Sequence, residues 1–149
     1  MLTTMPATPP DVTADLAHEL RLVLMRLTRR MRQQRGDHGL PLGLLSVLAT
    51  LERSGPLTPG ALAQLEQVRP PTMTKALATL DEGGYVDRVP DPHDGRQQLV
   101  SITTKATQLL DEDRRRRDEW FAALLIGLAP EQRDVLVAAL PVLEVLADS

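Results

Sequence analysis

The sequence predicts a mainly α chain of α+β winged helix type, a winged helix-turn-helix with long helical dimerisation segments, in the order α-α-α-α-β-β-α-α. Three observations predict it. Residues 58–66 and 69–84 read as two short helices joined by a tight link. Residues 85–102 read as two strands around a turn. Residues 12–35, 41–54, 103–126 and 130–147 carry apolar side chains at helical spacing on either side of that unit.

The first residues, 1–10, have neither a basic stretch nor an apolar run, so a disordered tail is expected and not a signal peptide. Residues 12–35 place Leu16, Leu20, Leu24, Leu27 and Met31 on one stripe, with Arg21, Arg26, Arg29, Arg30, Arg32 and Arg35 around it. Those arginines are either a solvated face or a contribution to dimer and backbone contacts. Gly36-Asp37-His38-Gly39 breaks the helix, and Pro41 opens the next, which carries Leu44, Leu45, Val47, Leu48 and Leu51 before Ser54-Gly55-Pro56 stops it. Thr58 before Pro59 pairs an N-cap residue with proline at the first helical position, where no donor is lost.

The helix over 70–83 starts at Pro70-Pro71 and stops at Gly83-Gly84. Arg69 stands where Ser or Asp would cap better. Met73, Ala76, Leu77 and Leu80 share a face suited to packing on the preceding helices. The opposite face carries Pro71, Lys75 and Ala78, flanked by Thr72, Thr74 and Thr79. That face is small, hydroxyl-bearing and singly basic, which suits close approach to base edges and phosphates; an ordinary solvated face is the alternative.

Tyr85-Val86 and Leu99 to Ile102 read as strands, with Asp94-Gly95 as the turn signal between them. Arg96 just past the turn and Arg88 on the outgoing strand put basic side chains on both flanks of the tip, with Asp94 expected to orient the Arg96 guanidinium. The helix from Thr103 carries Leu109, Leu110, Trp120, Phe121, Leu124 and Leu125, and the last one starts at Pro130, with Pro141 expected to kink it or leave one hydrogen bond open. The first and last segments are too apolar on one side for a lone wing unit to cover. A dimer built from residues 12–30 with 105–147 follows.

Composition removes several classes. With 149 residues the chain is one domain by length, and with no cysteine it has neither disulfides nor thiol redox sensing. Three aromatics leave a core of Leu, Val and Ala. The apolar runs near 122–129 and 135–143 fall short of a membrane span, so a cytoplasmic protein with no membrane partner is expected. A net charge of −3 opposes nucleic-acid binding overall, but phosphate attraction is local over a Debye length of about 8 Å. Asp111 to Glu119 reads as a self-neutralised exposed helix through Asp111–Arg115, Glu112–Arg116 and Asp113–Arg117. His18, His38 and His93 are dispersed, so neither a metal site nor a cofactor is expected. No nucleophile–base pair, phosphate loop or carboxylate dyad points to an enzyme.

Asp94-Gly95-Arg96 followed by Ile102-Thr103-Thr104-Lys105-Ala106 resembles the wing of the MarR-type transcriptional regulators of bacteria and archaea, an Asp-x-Arg and then a Leu-Thr-x-x-Gly at the start of a long helix. Thr72 to Arg88 is similar to that family's recognition helix and first wing strand, and the resemblance extends over nearly the whole chain beyond residue 11. Gly95 replaces an Arg often found there, Ala106 replaces the usual Gly, and Pro70-Pro71 is an unusual entry that leaves the register of the reading residues open. The resemblance implies a homodimeric, sequence-specific regulator, a repressor of an inverted-repeat operator in double-stranded DNA. It also implies relief of repression by a small aromatic anionic or lipophilic effector between the DNA-binding lobe and the dimer helices.

The expected division is a tail at 1–10, a winged helix-turn-helix at 36–102, and a dimerisation region at 11–35 with 103–149. Expected DNA contacts are Arg69, Pro71, Thr72, Thr74, Lys75 and Thr79 on the helix, and Arg88, His93, Asp94 and Arg96 on the hairpin; no ligand-binding residue is legible. A winged-helix protein-interaction module without DNA contact is the alternative that the acidic balance supports.

Overall fold

Prolines and two capping threonines set most of the helix starts. The computed structural model describes residues 12–148, so the expected tail at 1–10 lies outside the described residues. The elements are α1 (Val12–Gln33), α2 (Leu42–Ser54), α3 (Pro59–Leu65), α4 (Pro70–Glu82), β1 (Val86–Pro90), β2 (Gln98–Ile102), α5 (Thr104–Ile126) and α6 (Pro130–Ala147), in the order the sequence predicts. Thr58 Oγ1 accepts the Ala61 amide at 3.2 Å and caps α3. At the start of α6 the Gln132 side-chain oxygen accepts the Ala129 amide at 3.0 Å, half of a capping box, since alanine offers no oxygen in return. α6 runs through Pro141 as one helix, so the Val137 carbonyl receives no amide from that position.

The hairpin is longer than the sequence suggests. β1 pairs with β2 from Val86 opposite Ile102 to Pro90 opposite Gln98. Proline is tolerated there because it ends the strand at the loop. Leu57 adds a one-residue third partner: its amide donates to the Val100 carbonyl at 3.0 Å and its carbonyl accepts from Val100 at 2.8 Å. β2 is therefore paired on both sides, which fits Val100 being fully buried.

The chain divides into two compact units, residues 35–118 and, among the described residues, 12–34 with 119–148. The first unit holds the core: Leu45, Val47, Leu48 and Leu51 of α2, Leu62 and Ala63 of α3, Met73, Leu77 and Leu80 of α4, Val86, Val100, and Ala106 and Leu110 of α5. Buried Thr50 donates to Glu66 at 2.6 Å, tying α2 to the end of α3.

In the second unit α6 contains no buried residue; Val137 is 66% exposed and Val145 68%. The rings of Trp120 and Phe121, both half-buried, meet edge to face at 5.7 Å between centroids. The Arg30 guanidinium lies over the indole at 5.2 Å. Among the described residues no helix is long and apolar enough to cross a membrane.

The charge pairing expected along 111–119 holds only in part. Glu112 and Arg116 pair at 2.8 Å, as spacing suggests. Asp111 meets Arg114 at 2.8 Å, and Arg114 also reaches Glu52 of α2, whose hydrogen bond pushes the guanidinium further up from its ordinary value. Asp113 does not face solvent or Arg117. It is 2% exposed; Oδ1 accepts the Gly36 amide at 2.6 Å and Oδ2 accepts from His38 Nε2 at 3.0 Å. His38 Nδ1 accepts the Leu40 amide at 3.1 Å, which places the ring hydrogen on Nε2. The segment between α1 and α2 lacks its own ladder, so its backbone donors must find side-chain acceptors. Asp113 and His38 supply them.

Candidate nucleic-acid interface

The link between α3 and α4 is a Schellman turn. The Val68 amide donates to the Ala63 carbonyl at 3.0 Å, and the Gln67 amide to the Gln64 carbonyl at 3.1 Å. This places Gln67 at φ 54, the left-handed region, where a glycine would sit more easily. The same motif closes α4: Tyr85 donates to Leu80 and Gly84 to Asp81, both at 2.9 Å, with Gly84 at φ 70. Two matching turns thus fix where α4 begins and ends.

α4 buries Met73, Leu77 and Leu80, with Ala76 half-buried beside them. Arg69, Pro71, Thr72, Thr74, Lys75, Ala78 and Thr79 are all exposed. Six of the expected contacts are therefore brought onto the open side of one helix and its N-cap. Pro70 and Pro71 have no amide hydrogen, leaving Thr72 as the only one of the first three helical residues with one. Thr74 Oγ1 donates to the Pro70 carbonyl at 3.0 Å and Thr79 Oγ1 to the Lys75 carbonyl at 3.2 Å.

The wing tip is a separate cluster. Asp91 Oδ1 accepts the His93 amide at 2.8 Å, and the Gln97 amide donates to the Asp94 carbonyl at 2.9 Å. Asp94 Oδ1 accepts the Arg96 backbone amide at 3.1 Å, and Oδ2 lies 3.5 Å from Gln97 Nε2. Asp94 thus shapes the turn through the backbone of Arg96 and does not hold its guanidinium, contrary to the sequence expectation. Gly95 does not adopt a positive φ, so the turn rests on the Asp94 side chain.

His93, Asp94 and Arg96 share this exposed loop, and among the described residues no salt bridge engages Arg96. Arg88 does not flank the tip. It stands mid-strand opposite Val100, with Nε 3.4 Å from Asp81 Oδ2 at the end of α4. Both partners are substantially exposed, so the pair adds about 0–1 kcal/mol and leaves Arg88 easily redirected.

Lys105 and Thr103 carry a role the sequence reading did not assign. Lys105 Nζ donates to the Gly83 carbonyl at 2.6 Å and lies 4.5 Å from the centroid of the Tyr85 ring. Thr103 Oγ1 donates to the Gly84 carbonyl at 2.8 Å while accepting the Ala106 amide at 3.3 Å. The end of α4 is thereby fastened to the start of α5. A lysine in a helix's first turn opposes the macrodipole, and that local mismatch is the sequence signal for a lysine serving a neighbour's carbonyl. Among the described residues no cluster of three or more His, Asp or Glu could hold a metal ion.

Residues 38–97 match the sequence model of the MarR family. The chain is 44% identical over 138 residues to an uncharacterised HTH-type transcriptional regulator of Mycobacterium bovis, covering 93% of this chain and 96% of that one. The fold superposes with a TM-score of 0.82 on a transcriptional regulator from Pseudomonas aeruginosa, at 31% identity over 95% of this chain and 99% of that one. A mutant of Staphylococcus aureus MepR bound to an oligodeoxyribonucleotide shares the fold at a TM-score of 0.71 and 20% identity, over 89% of this chain and 96% of that one.

Proposed function

The chain belongs to the MarR family of HTH-type transcriptional regulators, which are not enzymes, and from that premise we propose that it binds an inverted-repeat operator in double-stranded DNA as a homodimer and acts as a repressor. The observation that carries this is the pairing of an exposed α4 face, small and singly basic, with a wing whose Arg96 has no salt-bridge partner among the described residues. The oligonucleotide complex of MepR supports the same use of the fold. Dimerisation is supported by α6, which has seven apolar positions among its exposed large side chains and no buried residue. A two-fold axis then sets the recognition helices about one DNA turn apart, roughly 34–36 Å. Control by a small aromatic or lipophilic effector and action in the cytoplasm, where the DNA lies, complete the proposal.

The test is a titration of labelled DNA from the chain's own upstream intergenic region, repeated across salt concentrations and against random duplex. Three cations on each of two protomers (Arg69, Lys75 and Arg96) give an expected slope of log affinity against log salt of about −5. The operator should bind at least about a thousandfold more tightly than random DNA. Absence of any salt-dependent binding would overturn the proposal and favour the protein-interaction module that the net charge of −3 suggests.

A further inference from the structure

We propose that the half-site read by α4 is thymine-rich, recognised through methyl groups, with a single guanine under Lys75. This rests on the DNA-binding reading and deepens it to the chemistry of the operator. Between Pro70 and Glu82 there is no Asn, Gln or Arg. The helix therefore lacks the amide that pairs with adenine N6 and N7, and the one guanidinium beside it belongs to Arg69 at the N-cap, ahead of the first helical turn. Its prolines remove two amide donors, and the only hydroxyl hydrogens of Thr74 and Thr79 are bonded to carbonyls four residues back, at 3.0 and 3.2 Å. With both oxygens turned onto the helix, each threonine leaves its γ-methyl as the free apolar group of an exposed side chain.

The remaining surface is the Pro71 ring, those methyls and Ala78, with Lys75 between them and Thr72 beside it at the N-terminal end, where its hydroxyl makes no back-bond of the kind seen at Thr74 and Thr79. Apolar groups of this size meet the C5-methyl of thymine, and a lone ammonium meets guanine O6 and N7. Pro71, Lys75 and Ala78 lie four and three residues apart on one stripe. At 1.5 Å per residue this stripe spans about 10 Å, or about three base-pair steps. One guanine should then lie among thymines on either side.

The experiment is selection of bound sequences from random duplex, followed by atom-level substitution in the selected site. Uracil for thymine removes only the methyl group, and each contacted position should lose about fourfold in affinity, the worth of one buried methyl. 7-Deazaguanine removes only the N7 acceptor, and its penalty should vanish in Lys75→Ala while sensitivity to uracil remains. Thr74→Ser and Thr79→Ser keep the back-bonded hydroxyl and lose the methyl, so each should abolish the uracil penalty at one position, with circular dichroism unchanged.

A selected operator that tolerates uracil throughout, or threonine-to-serine variants with an unaltered uracil penalty, would overturn this inference while leaving DNA binding intact. If no sequence is enriched and no salt-dependent binding occurs, the DNA-binding reading fails and this inference fails with it. The uracil arm needs no altered protein, so a variant that fails to fold does not remove the test.

Discussion

Lys75 is the only cation on α4, so its removal separates the two kinds of contact it can make. Lys75→Ala should weaken operator binding by about 1–3 kcal/mol and relax specificity at one position if the ammonium reads a base. Equal loss on operator and random DNA with a shallower salt slope would make it a phosphate contact, and no loss on either removes it from the site. Asp94 acts by shaping the turn. Because Oδ1 accepts the Arg96 amide, Asp94→Asn should keep operator affinity and Asp94→Ala should lower it, with dimer mass and far-ultraviolet spectrum unchanged. Equal affinities for the two variants would leave the Asp94 side chain without a role in the wing.

Asp113 is the buried counterpart. Asp113→Ala leaves the Gly36 amide and His38 Nε2 without their acceptor and should cost about 1–3 kcal/mol, read from the urea midpoint. Neither Asp94's backbone partner nor Asp113's burial was legible in the sequence. An Asp-Gly pair signals a turn without saying which amide it holds, and Asp113 sits in an alternating charge run whose i,i+4 spacing offers an exposed solution for every member. The inward turn of Asp113 depends on a loop more than seventy residues away, as the 77-residue separation from Gly36 records.

The two Schellman turns around α4 make a matched pair, one with Gln67 and one with Gly84 in the left-handed position. Gln67→Gly should stabilise the protein by about 0.5–1 kcal/mol, and Gly84→Ala should destabilise it by about 1–2 kcal/mol, both read by thermal melting. A neutral Gln67→Gly would mean that glycine's freedom in the unfolded chain cancels the relief. Gly83→Ala adds a different stress. A Cβ there would stand 2.5 and 2.6 Å from Tyr85 ring carbons, so the ring must leave Lys105 and the fastening of α4 to α5 loosens.

At this scale the sequence was informative where local chemistry acts alone. Thr58-Pro59, Pro70-Pro71 and Gly83-Gly84 mark helix ends that the structure keeps within a residue. It was silent where pairing is made by backbone. Asp87 to Pro90 are all exposed, so no alternation betrays the rest of β1, and the single Leu57 bridge has no pattern to betray.

On the scale of the whole molecule, residues 35–118 enclose a core and, among the described residues, the other unit does not. Leu140 is 56% exposed and Leu136 43% on a helix with nothing buried. Leu140→Asp should shift sedimentation from dimer to monomer and reduce operator affinity by at least about tenfold, since two half-sites no longer bind together. A variant that stays dimeric would move the interface away from α6. The apolar side chains of the last helix were legible from residue types alone, and the structure leaves them exposed. The placement of positive charge was less legible, because a net charge of −3 says nothing of Arg88 turning to Asp81 while Arg96 stays unclaimed.

The aromatic side chains have a further consequence. The single tyrosine lies in the cored unit beneath Lys105, and the single tryptophan lies in the other unit beneath Arg30. Each half of the protein thus carries its own native chromophore beside its own cation. Indole emission excited at its red edge should follow changes around Arg30 and Phe121, and phenol absorbance should follow loosening of residues 35–118. Both clocks can be read in one unlabelled sample, so the order in which the two halves come apart is directly observable.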